Sequence, residues 1–237
     1  MSPTPSIDWS QVFFGHLVSE TDESLNFFFS RKEEVSITMP DGISLRGWFL
    51  NRGEGRPLVI MYGGNGMNVG DFHRFARKDS QKSYLLVNYR GYGRSEGEPT
   101  EDAIVADSIQ LIKWAKAQLG DESKLLLVGF SIGSGVALQV AARHQPEHLI
   151  LICPFDFKLA GDSKVFCGDQ VAPLLRCPVT IFAGTEDCLI HPDRTKALIA
   201  AFTDKKPEVY WFPSDHNELM SRCDFRNRFT DVLLSYQ

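Results

Sequence analysis

The stretch Val128–Gly135 constrains the fold of this chain more than any other, because it must turn a strand into a helix within a few residues. The apolar run Lys124–Val128 before it is typical of a strand buried on both faces, and Val136–Arg143 after it has a helical pattern. Between them, residues 129–133 have the spacing G-x-S-x-G of a nucleophile elbow. In such a turn Ser131 is strained and its hydroxyl is exposed above the sheet, while the glycines leave room where a Cβ would clash. The same spacing also occurs in simple Gly/Ser loops, so the rest of the chain has to support this interpretation.

Short apolar strands alternate with helical patterns along most of the chain, which predicts a parallel sheet with helices on both faces. Before them, Glu34–Met39 and Ile43–Leu50 alternate in polarity around the turn pair Asp41-Gly42, which predicts an opening antiparallel hairpin. Further strands are predicted at 58–62, 84–89, 124–128, 149–153, 179–183 and 208–212, and helices at 69–78, 100–119, 136–143, 192–202 and 218–236. We expect one α/β domain over 1–237, with an N-terminal arm at 1–33 and a short insertion at 154–175 in the position of a lid.

The composition of the chain limits which binding partners and which cellular compartment we expect. The net charge of −5 gives no support for a nucleic-acid partner. Five cysteines without C-x-x-C spacing favour free thiols in a reducing compartment, so we expect a cytoplasmic location. The sequence has neither a stretch long enough to span a membrane nor the layout of a signal peptide. The apolar segment Ile7–Val18 has no Lys or Arg, so it is expected to pack on the domain, while a peripheral membrane contact stays open as the alternative.

Reactive side chains follow two late strands at the sheet edge where open α/β sheets form their ligand sites. Asp187 follows the strand that ends at Ala183, and His216 follows the strand that ends at Phe212. A serine hydroxyl needs an imidazole as base, and the imidazole needs a carboxylate to hold its tautomer. We therefore expect Ser131 as nucleophile, His216 as base and acid, and Asp187 as orienting residue. Glu186 is the less suitable carboxylate, and His191 is assigned at most a place at the mouth of the site.

Two backbone N–H groups are candidates for stabilising an oxyanion. That of Ile132 follows the serine directly, and that of Asn65 lies in the loop Gly63–Gly66 after the strand that ends at Tyr62. The small residues of this loop let a substrate oxygen approach the backbone closely. We expect Gly64, with Phe155 and Phe157 of the insertion, to contact the substrate.

These features together resemble α/β-hydrolase-fold serine hydrolases, in the branch that contains the α/β-hydrolase-domain depalmitoylases and their bacterial relatives. The motifs that carry the similarity are Gly64-Asn65 with Asn68, the stretch Asn88–Pro99, Gly129–Gly133, Pro154-Phe155, Arg176–Pro178, Gly184–Asp187 and His216-Asn217. The similarity runs from about Glu34 to the C-terminus. It implies an eight-stranded, mostly parallel sheet, hydrolysis of esters or thioesters through an acyl-enzyme, and neither a metal nor an organic cofactor. The family usually has His-Gly where this chain has Gly63-Gly64, and residues 156–171 depart from the family pattern.

Three functions stay open at this point. The first is hydrolysis of a carboxylic ester or thioester, either in a small molecule or on an acylated protein. The second is a peptidase or amidase with the same triad, in which His216 has to protonate a poorer leaving group. The third is a catalytically inactive binding module, against which the complete set of Ser131, Asp187 and His216 argues. No oligomeric state is predicted.

Overall fold

The computed structural model describes residues 7–18, 33–77, 79, 81–155, 157–158 and 164–236, with the backbone alone described at 157, 158 and 164. In this part of the chain, eight strands form one sheet in the order β1-β2-β4-β3-β5-β6-β9-β10, and β7 pairs with β8. The strands are β1 Glu34–Thr38, β2 Ser44–Leu50, β3 Leu58–Tyr62, β4 Ser83–Val87, β5 Leu125–Phe130, β6 His148–Ile152, β7 Phe157–Lys158, β8 Lys164–Val165, β9 Val179–Gly184 and β10 Glu208–Phe212. The α-helices are α1 His73–Ala76, α2 Glu101–Leu119, α3 Ile132–His144, α4 Gly168–Val171, α5 Pro192–Ala201 and α6 Cys223–Leu234.

The sheet is mostly parallel and opens with an antiparallel hairpin. Strand β2 runs antiparallel to both of its neighbours, β1 and β4. The pairs from β4 through β3, β5, β6 and β9 to β10 are all parallel. Every residue of the central strands β3, β5 and β6 is buried, as expected for strands covered on both faces. The predicted α/β architecture is therefore confirmed.

Helices cover both faces of the sheet and enclose two apolar clusters. One cluster joins the sheet to α2, α3 and α5 and includes Ile112, Val136 and Leu198. The other joins the opposite face to the 69–76 region and α6, and includes Phe72 and Phe229. No helix of the described residues is both long enough and apolar enough to span a lipid bilayer.

Some boundaries differ from those predicted. The helix predicted at 69–78 is a 3-10 turn over Val69–Phe72 followed by the single turn of α1, and Lys78 lies outside the described residues. The closing helix begins at Cys223 instead of 218, because the backbone is extended at Arg222, where ψ is 138°. A 3-10 turn over Leu219–Ser221 precedes it. These ends depend on tertiary contacts that a local apolar pattern does not encode.

The described residues of the two irregular regions, 7–18 and 154–175, pack on the helices above one face of the sheet. The N-terminal segment forms 3-10 turns at Trp9–Gln11 and Gly15–Leu17 and buries Val12, Phe13 and Val18. Among its described residues, the insertion contains the paired strands β7 and β8 and the single turn of α4, and these residues form no multi-helix cap. Residues 1–6 and 19–32 of the predicted arm lie outside the described residues.

Candidate active site

Ser131 lies in a strained turn between β5 and α3. Its φ is 53° and its ψ is −124°, a combination that non-glycine residues rarely adopt. The turn is tight enough to exclude side chains at its two glycines. A Cβ on Gly129 would lie 2.3 Å from the carbonyl oxygen of Gly133, and one on Gly133 would lie 2.3 Å from that of Tyr62. The glycines thus let α3 start directly against β3 and β5, with Ser131 at its N-terminal end.

Ser131, His216 and Asp187 form one chain of hydrogen bonds. His216 Nε2 lies 2.9 Å from Ser131 Oγ, and His216 Nδ1 lies 2.7 Å from Asp187 Oδ2. An ionised carboxylate only accepts hydrogen bonds, so Nδ1 donates to it and Nε2 is left as the acceptor for the serine hydroxyl. His216 and Asp187 are 5% and 3% exposed, so little water competes for these bonds. The geometry matches that of an activated serine nucleophile.

Further hydrogen bonds hold the carboxylate in place. Asp187 Oδ1 accepts the backbone N–H groups of Leu189 at 2.9 Å and Ile190 at 2.7 Å. The neighbouring Glu186 is exposed. Asp215, next to the histidine in sequence, instead accepts the N–H of Asn217 at 2.8 Å. The structure therefore brings Asp187 to His216 and leaves the other two carboxylates outside the chain of bonds.

The other histidine weighed from the sequence, His191, lies at the start of α5. Its Nδ1 accepts the backbone N–H of Asp193 at 3.4 Å, which makes it the N-terminal cap of that helix.

Cys153 packs beside the triad, with its Sγ 3.9 Å from the carbonyl oxygen of His216. Burial, followed by the charge of Asp187, raises the pKa of the Cys153 thiol well above its usual value, so the thiol stays neutral.

Cys153, Asp187 and His216 are the residue types that bind metals, and their ligand atoms lie within 4.8 Å of one another. However, His216 Nδ1 and Asp187 Oδ2 already share a hydrogen bond, and a cation between them would have to replace its proton. The neutral Cys153 thiol is also a poor ligand, because the thiolate is the form that binds metal. Asp187 and His216 therefore fit the chain of hydrogen bonds to Ser131 better than they fit a metal centre with Cys153.

The two candidate oxyanion donors lie on the same cavity as Ser131. Ile132 is the first residue of α3, where the N–H groups have no acceptor within the helix. Gly64 lies against the elbow, since a Cβ placed on it would be 2.9 Å from the Phe130 ring and 3.5 Å from Ser131 Cβ. Asn65 follows Gly64 and lines the cavity together with Ile132. Gly64, the other expected substrate contact, thus packs against the elbow and is not one of the residues that line the cavity.

Two tyrosines of the Asn88–Pro99 stretch hold the Gly63–Gly66 loop, which lacks the histidine usual in the resembled family. The Tyr89 hydroxyl donates to the Gly63 carbonyl at 2.9 Å. The Tyr92 hydroxyl donates to Asn65 Oδ1 at 2.7 Å. Both tyrosines are buried, so these bonds form away from competing water. Sequence analysis had singled out the stretch only as a family motif and missed this supporting role.

The cavity around Ser131 has a volume of about 230 Å³. Its lining residues are Gln11, Val12, Phe14, Asn65, Ser131, Ile132, Phe155, Leu189, Ile190 and His216. Phe155 is the expected substrate contact that lies here, while the side chain of Phe157 lies outside the described residues. The residues from the 11–14 segment and Leu189–Ile190 were not predicted. The apolar pattern of 7–18 was visible in the sequence, but no local signal connected it to the site.

The fold and the sequence together identify the class of protein. A family model described as the alpha/beta hydrolase fold matches residues 56–166. The order of strands, the reversed β2 and the turn at Ser131 agree with that match. The chain therefore has the α/β-hydrolase fold, and its sequence is similar to that family over residues 56–166.

Individual proteins similar to this chain include bacterial, animal and archaeal ones. An uncharacterized protein of Mycobacterium tuberculosis is 27% identical over 209 residues, which cover 78% of this chain and 72% of that protein. Lysophosphatidylserine lipase ABHD12 of Gallus gallus is 31% identical over 154 residues, 56% of this chain and 40% of the lipase. Among solved structures, the esterase Pf2001 of Pyrococcus furiosus superposes with a TM-score of 0.71 at 16% identity, covering 86% of this chain and 90% of the esterase.

Proposed function

We propose that this α/β-hydrolase is a serine hydrolase that cleaves a carboxylic ester or thioester through an acyl-enzyme. The observation that carries the proposal is the chain of hydrogen bonds from Ser131 Oγ through His216 to Asp187, at 2.9 and 2.7 Å. The 2.9 Å between His216 Nε2 and Ser131 Oγ lies in the range in which a base can take a proton from a nucleophile, and the 2.7 Å bond to Asp187 orients that base. The strained backbone of Ser131 supports the same role, because such strain is kept where the surrounding structure holds a residue for function.

In the proposed reaction, Ser131 Oγ attacks the carbonyl carbon of the substrate while His216 Nε2 takes the hydroxyl proton. The N–H groups of Asn65 and Ile132 donate to the oxygen that becomes negative. The tetrahedral intermediate then collapses, and His216 gives the proton to the leaving alcohol or thiol. A water molecule, activated by the same histidine, releases the carboxylic acid and restores Ser131. Asp187 stays ionised throughout and stabilises the imidazolium.

The walls of the cavity favour an ester or thioester with an apolar acyl group. Val12, Phe14, Ile132, Leu189 and Ile190 offer apolar surface beside Ser131. Two of the similar proteins are named lysophosphatidylserine lipase and esterase, and these names also support an ester as the substrate class. All five cysteines are free thiols, which supports the cytoplasmic location as part of this proposal.

Replacing the nucleophile tests the proposal. Ser131→Ala should lower ester turnover by about 10⁴-fold, because the remaining triad residues act only through the serine. A fluorophosphonate probe should form a covalent adduct with the wild type, in which the serine oxygen bonds phosphorus, fluoride leaves and His216 takes the hydroxyl proton, and it should form none with the variant. Ser221→Ala, an exposed serine that does not line the cavity, serves as the control and should keep both activities. Full turnover by purified, folded Ser131→Ala would contradict the proposed mechanism.

A further inference from the structure

The N-terminal segment, residues 8–18, supplies part of the cavity around Ser131. Val12 and Phe14 line that cavity together with His216. Val12 is buried, whereas the Phe14 side chain is 39% exposed and therefore lies at the mouth. Leu189, which is 64% exposed, lines the same cavity. The segment thus contributes apolar side chains to the wall of the cavity.

The segment is packed into the domain by its buried residues. Phe13 is 3% exposed and makes an edge-to-face contact with Phe166, with ring centroids 6.1 Å apart. Gly15 lies so close to the 91–92 loop that a Cβ there would be 2.2 Å from the carbonyl oxygen of Gly91 and 2.9 Å from the Tyr92 ring. These contacts fix residues 12–15 between the insertion and the loop that contains Tyr92.

The side chain of Asn65 bonds this segment to the loop beside Ser131. Its Nδ2 donates to the Val12 carbonyl at 2.7 Å, and its Oδ1 accepts the Phe14 N–H at 2.7 Å. The same oxygen accepts the Tyr92 hydroxyl at 2.7 Å. Three of the four hydrogen bonds available to an asparagine amide are therefore made, two of them to the segment. The side chain of Asn65 thus fixes the wall, while its backbone belongs to the loop proposed to bind the oxyanion.

We propose that residues 8–18 form the outer wall of the acyl pocket, with Phe14 setting part of the acyl-length preference and the Asn65 side chain acting as a positioning residue. The inference rests on the proposed function, because it assigns the acyl group of the substrate to this cavity. The volume of about 230 Å³ is below the roughly 300–1,000 Å³ of pockets for drug-sized ligands. The structure therefore assigns the site to short and medium acyl chains, which extend past Val12 toward Phe14 at the mouth.

The first experiment compares kcat/KM for 4-nitrophenyl octanoate with that for 4-nitrophenyl acetate. Phe14→Ala should lower this ratio by about 4- to 15-fold, the value of one or two lost methylene contacts. The loss should appear mainly in the KM of the octanoate ester, because the contact forms before the chemical step and is kept through it. Leu174→Ala is the matched control, since it removes a similarly exposed apolar side chain outside the cavity, and its ratio should equal that of the wild type. Phe14→Leu should give an intermediate ratio.

The second experiment measures amide hydrogen exchange in a peptide covering residues 8–18 and needs no turnover. Asn65→Ala should speed exchange in this peptide at least tenfold, and Tyr92→Phe, which removes one of the three bonds to Asn65, should speed it less. Addition of octanoate to the wild type should slow exchange in the same peptide. If the wild type hydrolyses no ester, that result contradicts the proposed function but leaves the exchange results as a test of the wall. The assignment of residues 8–18 as a wall of the acyl pocket would be overturned by any of three results. These are an unchanged octanoate-to-acetate ratio of kcat/KM in Phe14→Ala, unchanged exchange in Asn65→Ala, and no slowing of exchange by octanoate.

Discussion

The two oxygens of Asp187 act on two different parts of the site. Oδ2 accepts from His216, and Oδ1 accepts the N–H groups of Leu189 and Ile190, which line the cavity. Its side chain is almost fully buried, so both oxygens keep their protein partners instead of water. A single residue therefore both orients the histidine and shapes a wall of the cavity.

At the scale of single residues, we predict that Asp187→Asn lowers kcat by about 10⁴-fold while the protein stays folded. The asparagine keeps the size of the side chain, but an amide nitrogen facing His216 Nδ1 favours the tautomer with its proton on Nε2, which cannot accept the serine proton. Steady-state kinetics on a 4-nitrophenyl ester measures this loss. Asp215→Asn should be mild, because an amide oxygen can still accept the N–H of Asn217. The reverse ranking of the two variants would mean that the wrong carboxylate has been assigned.

Among the elements, helix α3 and strand β3 approach each other more closely than any side chain allows. Gly133, in the first turn of α3, lies directly against the Tyr62 carbonyl at the end of β3, and Gly129 in β5 faces the Gly133 carbonyl. This approach fixes the position of α3 relative to the sheet and so the height of Ser131 above it. The requirement is steric and does not depend on the reaction.

We predict that Gly133→Ala lowers the free energy of unfolding by about 1–3 kcal/mol or more, because its Cβ would lie 2.3 Å from a backbone oxygen that has little room to move. Urea unfolding monitored by circular dichroism measures the change. Gly63→Ala is the control, since its Cβ would find its nearest neighbour at 3.6 Å, an ordinary contact. Equal stability of the two variants would show that close approach at Gly133 is not needed.

For the whole molecule, His148 connects three elements far from the catalytic edge. It begins β6, its Nε2 lies 2.9 Å from Thr180 Oγ1 in β9, and its Nδ1 faces the hydroxyl of Tyr236 after α6. Burial lowers the pKa of His148 to about 4, although the nearby charge of Glu208 acts in the opposite direction. The folded state therefore keeps this histidine neutral where the unfolded chain would protonate it.

A pH dependence of stability follows. The unfolded state binds the additional proton below about pH 6.5, so stability is fully present above that value and falls as the pH drops toward 4. The difference between 6.5 and about 4 corresponds to a loss of up to about 3 kcal/mol. Urea unfolding at pH 7 and pH 4 should give a smaller difference between the two pH values in His148→Gln than in the wild type. Equal differences would contradict the neutral buried state.

The local sequence was sufficient to predict the alternating strands and helices, the turn at Ser131 and the chain order of Ser131, Asp187 and His216. The reason is that periodicity and glycine spacing act over a few residues, and parallel strands bring their carboxyl ends to one edge. The sheet and its opening hairpin agree with that prediction, and the three side chains lie within hydrogen-bond distance of one another.

Only the tertiary structure decided which residues surround the reactive serine. Phe14 reaches the cavity because Asn65 bonds the Val12 carbonyl and the Phe14 N–H, and Tyr92 supports Asn65 from a third loop. The start of α6 at Cys223 is likewise set by its surroundings and not by the apolar pattern that begins earlier. These contacts join residues far apart in the chain, and their free energy is gained only after the sheet has brought the loops together. No local pattern therefore encodes them.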